Sequence, residues 1–152
     1  MGNNLSRKNR NCWLEPEICD RDEVFNFCND YMDFLSECKT ERECVEYMLE
    51  LARENGFTPL DSFRKEGRKP VRGDRILINH RNKALMLFVI GEEDLEKGIN
   101  LVGSHLDSPR MDLKPSPLYE DQGMALFKTH YYGGIKKYQW TAIPLALHGV
   151  VI

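Results

Sequence analysis

The sequence lacks any apolar run near the ~20 residues that a membrane-spanning helix needs, and its longest apolar stretches, such as residues 84–90, are far shorter. It also lacks an excess of charge of either sign, because 21 Lys and Arg stand against 24 Asp and Glu, a net charge of −3. Such a balance argues against a partner that is a polyanion and against a disordered acidic tail. We therefore expect neither nucleic acid nor a membrane as a partner. With 41% hydrophobic and 30% charged residues, the 152 residues are expected to form about one globular domain.

Several familiar catalytic signatures are missing as well. The chain contains no His-Glu-x-x-His, no Gly-x-Ser-x-Gly and no phosphate-binding Gly-x-x-x-x-Gly-Lys-[Ser/Thr] sequence. Zincin, serine-hydrolase and P-loop chemistry therefore have no support. The Gly133-Gly134 pair is interpreted as a backbone turn, since no helix-start signal follows it.

The five cysteines show none of the usual metal-site spacing. No two of them form a Cys-x-x-Cys pair, and their separations match no zinc-finger pattern. We expect reduced thiols in a cytoplasmic protein, with a metal cluster or a disulfide framework as the alternative. The five are Cys12, Cys19, Cys28, Cys38 and Cys44.

Both ends of the sequence suggest expectations about processing and length. The first residues are polar and basic and no apolar segment follows, which argues against a secretory signal. Gly2 and Ser6 match the loose myristoylation pattern, which is too short to carry weight alone. The apolar run at residues 145–152, together with the absence of any Asp or Glu after Asp121, leads us to expect the front part of a longer protein.

Helical signals dominate the first third of the chain. Residues 1–20 are expected to be irregular, and apolar residues at steps of three and four predict a helix over 21–36. Thr40 and Glu43 form a capping-box pattern that begins a second helix, which Gly56 is expected to end in a left-handed conformation. The predicted apolar face of that helix comprises Cys44, Val45, Met48, Leu51 and Ala52.

Strand signals dominate the remainder. Residues 58–75 are interpreted as a polar, solvated connection rather than a nucleic-acid patch, because aromatic residues are not interleaved. Residues 75–79 and 84–90 predict a hairpin, and residues 99–104 predict a strand that is buried on both faces. Further strands are predicted at 110–114, 125–132 and 145–152, with a break at 115–117. Helices followed by mixed strands predict the α/β class.

His105 and Asp107 form the most suggestive pair of side chains. Residues i and i+2 of a strand face the same side, so these two groups can meet one ligand or each other. A neutral imidazole is a good ligand for a divalent transition metal, and a neighbouring carboxylate can orient the ring. Spacing alone leaves a structural histidine as the more common interpretation, since such short patterns arise often by chance.

The other histidines carry weaker signals. His130 lies beside aromatic residues and is interpreted as a histidine packed at a strand edge, while His80 is expected in the hairpin turn. His148 lies in an apolar run and is interpreted either as a second metal ligand or as a hydrogen-bonded core group. Acidic residues near His105 in the sequence are Asp112, Glu120 and Asp121.

A longer block of residues resembles a known family. Residues 101–110, LVGSHLDSPR, followed by Leu-Lys-Pro at 113–115, resemble the M18 family of metalloaminopeptidases, in which a strand ends in a Ser-His-x-Asp-Ser-Pro block. Residues 129–140 and 143–150 resemble the aminopeptidase 1 branch found in clostridia. The resemblance extends over about residues 20–152.

The resemblance implies a fold and an activity. It implies the N-terminal part of a three-layer α/β/α zinc-exopeptidase domain at 21–123, with strands at 124–152 leading into a β-rich inserted domain. Members are cytosolic enzymes that remove N-terminal residues from peptides and assemble as homo-oligomeric dodecamers. Their site holds two metal ions, Zn²⁺ or otherwise Co²⁺ or Mn²⁺. The resemblance makes His105 a metal ligand and Asp107 the catalytic-site carboxylate that supports it.

The sequence also departs from the family's ligand set. The resemblance implies a bridging aspartate, a Glu-Glu pair, a further acidic ligand and a last histidine, none of which can be placed in these residues. Since catalytic zinc normally has three protein ligands, we expect the chain alone to be inactive. The alternatives are a non-catalytic truncated paralogue that acts as an assembly partner, and an unrelated small α/β module in which His105 is structural.

Overall fold

The computed structural model describes residues 11–15 and 20–151, which divide into two units between Glu37 and Cys38. The first unit holds a 3-10 turn at Cys12–Leu14 and the helix α1 at Arg21–Glu37. The second unit holds the other helices and all the described strands. Helices and strands are combined in one chain, and the predicted α/β class is confirmed. The myristoylation pattern and Cys19 lie outside the described residues.

Helix α1 confirms the prediction made from its three- and four-residue steps. The Asp20 side chain accepts hydrogen bonds from the backbone amides of Asp22 at 3.0 Å and Glu23 at 3.3 Å, and so caps the first turn. None of the residues of α1 is buried. Among the described helices, none is long and apolar enough to cross a bilayer.

Helix α2 (Glu41–Glu54) begins at the predicted capping box. The backbone amide of Thr40 donates to the Glu43 carboxylate at 2.9 Å, and the Glu43 amide donates to the Thr40 hydroxyl at 3.4 Å. The buried face was predicted correctly at Cys44, Val45 and Ala52, and Met48 is half-buried. The prediction is wrong at Leu51, which is exposed, and it missed the buried Leu49. Leu51 follows Leu49 by two residues and therefore lies near the opposite side of the helix.

Gly56 ends α2 as predicted, with a φ of +79°. The backbone amide of Phe57 donates to the Ala52 carbonyl at 2.9 Å, which is the closing hydrogen bond of a left-handed C-terminal cap. Only glycine adopts this conformation without strain, because a Cβ atom crowds the following carbonyl.

We expect Gly56→Ala to lower the free energy of unfolding by about 1 kcal/mol, since the strain at positive φ is not offset by any new contact. Urea unfolding followed by circular dichroism measures this change. Gly91→Ala is the matched control, because Gly91 also has open space around its Cβ position but lacks the positive φ. Equal losses in the two variants would contradict the prediction.

A three-stranded sheet packs against α2 in the second unit. Strand β1 (Thr58–Pro59) pairs in parallel with β2 (Arg75–His80), which pairs antiparallel with β3 (Ala84–Val89) in the order β1-β2-β3. The predicted hairpin is confirmed, and its turn places Arg81 and Asn82 at positive φ. The core cluster comprises Val45, Leu49, Ala52 and Leu77, with Phe57, Leu85 and Leu106 packed against it.

The predicted polar connection at 58–75 is wrong in its first part. Strand β1 and a short helix α3 (Leu60–Lys65) occupy it, and Phe63 on α3 is buried. The Arg68 guanidinium lies 4.2 Å from the centre of the Phe63 ring and also pairs with Asp74 at 2.8 Å. Apolar burial of Phe63 therefore ordered a segment whose overall composition is polar.

The predicted strand at 99–104 is not formed. This segment has no regular structure, and Leu101 and Val102 are 84% and 96% exposed. A strand is stabilised by hydrogen bonds to a neighbouring strand, and the described residues pair none with this segment.

A long hairpin follows the 99–109 segment. Strands β4 (Arg110–Asp121) and β5 (Met124–Tyr132) pair antiparallel, which confirms the strands predicted on either side of residues 115–117. The predicted break is an irregularity inside β4, where the register shifts between Leu113 and Leu118. The predicted domain boundary between 123 and 124 falls in the turn of this hairpin, and the division into domains stays a prediction.

The predicted last strand is also not formed. A short helix α4 (Lys137–Trp140) follows β5, and residues 145–151 have no regular structure. As for residues 99–104, the described residues pair no strand with this apolar segment.

The described cysteine side chains are thiols. Cys28 is exposed, whereas Cys38 and Cys44 are buried. Burial raises the pKa of the Cys44 thiol, which is also in hydrogen-bond contact with Cys38. A buried thiol of raised pKa reacts slowly, because the thiolate is the nucleophile.

Candidate metal-binding site around His105

Leu106 fixes the position of the candidate site. Its side chain packs against the core cluster, so the two residues that flank it are attached to the core although their segment is irregular. The Nδ1 atom of His105 lies 2.7 Å from the backbone carbonyl oxygen of Asp107 and 3.3 Å from its Oδ1 atom. The structure thus brings together the two residues singled out in the sequence, without the strand geometry from which their proximity was predicted.

The orientation of His105 suits a metal ligand. Both acceptors face Nδ1, so this nitrogen carries the proton in the neutral ring and Nε2 keeps its lone pair. The side chain is 82% exposed, which leaves Nε2 accessible. A histidine whose Nδ1–H is donated to a carbonyl or carboxylate is the usual arrangement at protein metal sites.

Asp107 has a second partner that sequence reasoning missed. The Tyr132 hydroxyl donates to its Oδ2 atom at 2.5 Å. This hydrogen bond, together with one from the backbone amide of Asp107 and the charge of Arg110, lowers the pKa of Asp107 below its ordinary value. The same hydrogen bond raises the pKa of Tyr132, because the phenol must give up its proton beside a carboxylate.

The Arg110 side chain lies over the ring of Tyr132. Its guanidinium is 4.2 Å from the centre of the Tyr132 ring, and its Nε atom donates to Asp112 at 2.8 Å. The same side chain is 3.8 Å from the Glu41 carboxylate. The hydrogen bond that Arg110 donates to Asp112, together with the nearby negative charges, raises the pKa of Arg110 above its ordinary value. Arg110 therefore links the first turn of α2 to both strands of the hairpin.

His148 does not lie with His105 but with Glu43. Its Nδ1 atom donates to the Glu43 Oε1 atom at 2.7 Å. Burial alone would raise the pKa of Glu43, but hydrogen bonds from His148 and from the amides of Lys39 and Thr40 lower it to about 2. The sequence indicated that His148 is either a metal ligand or a hydrogen-bonded group. In the structure it is hydrogen-bonded to Glu43.

The remaining candidates lie on the strands β2, β4 and β5. The His130 ring stacks on Tyr131 with centres 5.1 Å apart, and His80 is the last residue of β2. Asp112 pairs with Arg110, and Glu120 accepts from the Gly123 amide at 2.7 Å. In the part of the chain that the structure describes, no group of three or more His, Cys, Asp or Glu side chains could hold a metal ion. His105 therefore fits as one ligand of a set that these residues do not complete.

The matching family model is described as aminopeptidase I zinc metalloprotease (M18), and it covers residues 34–152. The chain is 43% identical over 152 residues to a probable M18 family aminopeptidase 1 from Clostridium acetobutylicum, covering 100% of this chain and 33% of that protein. A probable M18 family aminopeptidase 1 from Thermotoga maritima is 44% identical over 147 residues, 97% of this chain and 31% of the relative.

Solved structures are similar as well. The crystal structure of an M18 family aminopeptidase from Thermotoga maritima matches with a TM-score of 0.78 and 42% identity, over 91% of this chain and 29% of the other. Aminopeptidase I from Borrelia burgdorferi B31 matches with a TM-score of 0.71 and 36% identity, over 86% and 31%. The chain thus spans about a third of the length of the curated relatives it matches. Because the family model covers well over half of the chain, the chain belongs to the M18 family of aminopeptidase I zinc metalloproteases.

Proposed function

We propose that the whole protein is a zinc aminopeptidase that releases the N-terminal residue of peptides, and that His105 is one of its zinc ligands. The observation that carries the proposal is the His105–Asp107 contact, in which Nδ1 faces two oxygens and Nε2 stays accessible. Family membership supports the reaction class and the metal.

Each residue of the pair has a separate task in this proposal. His105 contributes the Nε2 lone pair, and Asp107 holds the proton on Nδ1 and fixes the plane of the ring. Held by His105 and the other ligands, zinc would supply Lewis-acid chemistry for attack on the scissile carbonyl. In this proposal Asp107 therefore acts through His105 and does not contact the substrate.

The ligand set is the reason to propose that the isolated chain is inactive. A catalytic zinc normally has three protein ligands, and a dinuclear site needs more. Among the described residues, His105 is exposed beside a supporting carboxylate, and no group of three potential ligands forms. The other ligands, including the acidic residues that would bridge two ions, are accordingly proposed to lie outside these 152 residues. A second metal, and Co²⁺ or Mn²⁺ in place of Zn²⁺, belong to the same proposal.

The same proposal extends to the assembly and the location of the whole protein. The family resemblance supports a homo-oligomer, with a dodecamer as the expected state of the whole protein. A cytoplasmic location is proposed on the same resemblance. Size-exclusion chromatography with light scattering and cell fractionation test these two points.

The function is tested with two proteins. One is the isolated chain, and the other is a hybrid in which this chain replaces the matching third of the Clostridium acetobutylicum relative. On a panel of aminoacyl-p-nitroanilides with added Zn²⁺ or Co²⁺, we expect turnover by the hybrid and none by the isolated chain. Metal-dependent turnover by the isolated chain would show that the ligand set is complete within it. A folded, zinc-free and inactive hybrid beside an active parent enzyme would favour the non-catalytic alternative.

A further inference from the structure

The two oxygens of Asp107 have different partners. Oδ1 faces Nδ1 of His105 at 3.3 Å, whereas Oδ2 accepts the Tyr132 hydroxyl at 2.5 Å. A carboxylate that is held at both oxygens cannot rotate freely about its Cβ–Cγ bond. Its orientation towards His105 therefore depends on where Tyr132 lies.

Tyr132 is itself held firmly. It is the last residue of β5 and pairs with Arg110, whose guanidinium covers its ring at 4.2 Å. Arg110 is in turn held by Asp112 at 2.8 Å. Next to Tyr132, Gly133 has a φ of +73°, and a Cβ there would lie 3.4 Å from the Pro109 Cα atom, so the two backbones approach closely.

We propose that Tyr132 is a positioning residue for the metal site, because its hydroxyl fixes the Asp107 carboxylate that orients His105. The inference rests on the proposed role of His105 as a zinc ligand. Tyr132 does not contact the metal in this proposal, and its effect reaches zinc through Asp107 and the His105 ring. Losing a partner of this kind typically costs about 10–100-fold in metal affinity.

The test removes one oxygen atom. In the hybrid, Tyr132→Phe keeps the ring under Arg110 and is expected to weaken zinc binding about 10-fold, measured by chelator competition. Excess zinc is expected to restore turnover, which it would not do if the variant were merely misfolded. Tyr131→Phe is the matched control, since Tyr131 is the adjacent strand residue, faces the opposite side and contacts His130 and Lys137. The zinc affinity of Tyr131→Phe is expected to stay within about 2-fold of that of the unmodified hybrid. This change is smaller than the about 10-fold loss that the removal of a supporting partner causes at the least.

The outcomes separate this inference from the proposed function. If His105→Ala abolishes zinc binding but Tyr132→Phe behaves like Tyr131→Phe, the positioning role is wrong and the zinc ligand stands. If His105→Ala keeps full zinc affinity, the proposed function fails first.

A second measurement does not depend on bound zinc. In the metal-free hybrid, the ¹⁵N shifts of the His105 ring are expected to change in Tyr132→Phe and not in Tyr131→Phe, because the Tyr132 hydroxyl anchors Asp107. Unchanged shifts in Tyr132→Phe would overturn the inference.

Discussion

Substitution of His105 by alanine is expected to abolish the zinc-dependent activity of the hybrid protein. The imidazole is 82% exposed, so its removal is expected to cost little folding free energy and to act on metal binding. The loss of zinc affinity is expected to exceed the about 10–100-fold that follows from losing a supporting partner, because a ligand itself is removed. Chelator competition and turnover of aminoacyl-p-nitroanilides measure the two effects.

Two variants control this result. His80→Ala removes another exposed histidine, at the end of β2, and is expected to leave zinc affinity unchanged. Asp107→Asn keeps the size of the side chain but removes its charge. Its zinc affinity is expected to lie between those of His80→Ala and His105→Ala, with a loss of about 10-fold or more. Equal zinc affinity in His105→Ala and His80→Ala would remove His105 from the ligand set.

Local signals predicted much of the fold correctly. The capping box at Thr40 and Glu43, the left-handed Gly56 and the hairpin of β2 and β3 all form as expected. Each of these features depends on interactions between residues that are close in the sequence. They can therefore be predicted without knowledge of the tertiary structure.

Apolar runs were less informative. Residues 99–104 and 145–152 have the composition of buried strands, yet neither forms a strand in the described residues. Composition indicates that a segment can pair in a sheet, but pairing also requires a neighbouring strand at a matching position. That condition is non-local, and no pattern within the segment contains it.

The candidate site was predictable in part for the same reason. His105 and Asp107 are two residues apart, so their contact needs no pairing between distant segments of the chain. The Tyr132–Asp107 contact spans 25 residues and depends on the register in which Tyr132 pairs with Arg110. The His148–Glu43 contact spans 105 residues and has no local signal.

Substitution of Glu43 by alanine is expected to lower the free energy of unfolding of the isolated chain by about 2 kcal/mol, because it removes both a capping interaction and a charged hydrogen bond. The carboxylate accepts from the amides of Lys39 and Thr40 at 2.8 and 2.9 Å and from His148 at 2.7 Å. Removing it leaves two amides at the start of α2 without this acceptor and takes away the hydrogen-bond partner of His148. Urea unfolding at neutral pH measures the loss.

The same carboxylate predicts a change of stability with pH. The pKa of Glu43 is lowered from an ordinary 4.5 to about 2 in the folded chain. A lowered pKa means that the stabilisation is fully present above pH 4.5 and is lost as the pH falls through about 2. At 1.36 kcal/mol per pKa unit the upper bound is about 3 kcal/mol. Because the side chain is 33% exposed, solvent screening reduces the expected value to about 1–2 kcal/mol.

Glu43→Gln separates the charge from the helix cap. Glutamine can still accept from the Thr40 amide, as in other capping boxes, so α2 keeps its first turn. Many carboxyl groups titrate between pH 4.5 and 2, and the difference between the two proteins isolates the contribution of Glu43. We expect the unmodified chain to lose about 1–2 kcal/mol more than Glu43→Gln over this range. Parallel pH profiles for the two proteins would show that the hydrogen bonds of Glu43, including that from His148, do not depend on its charge.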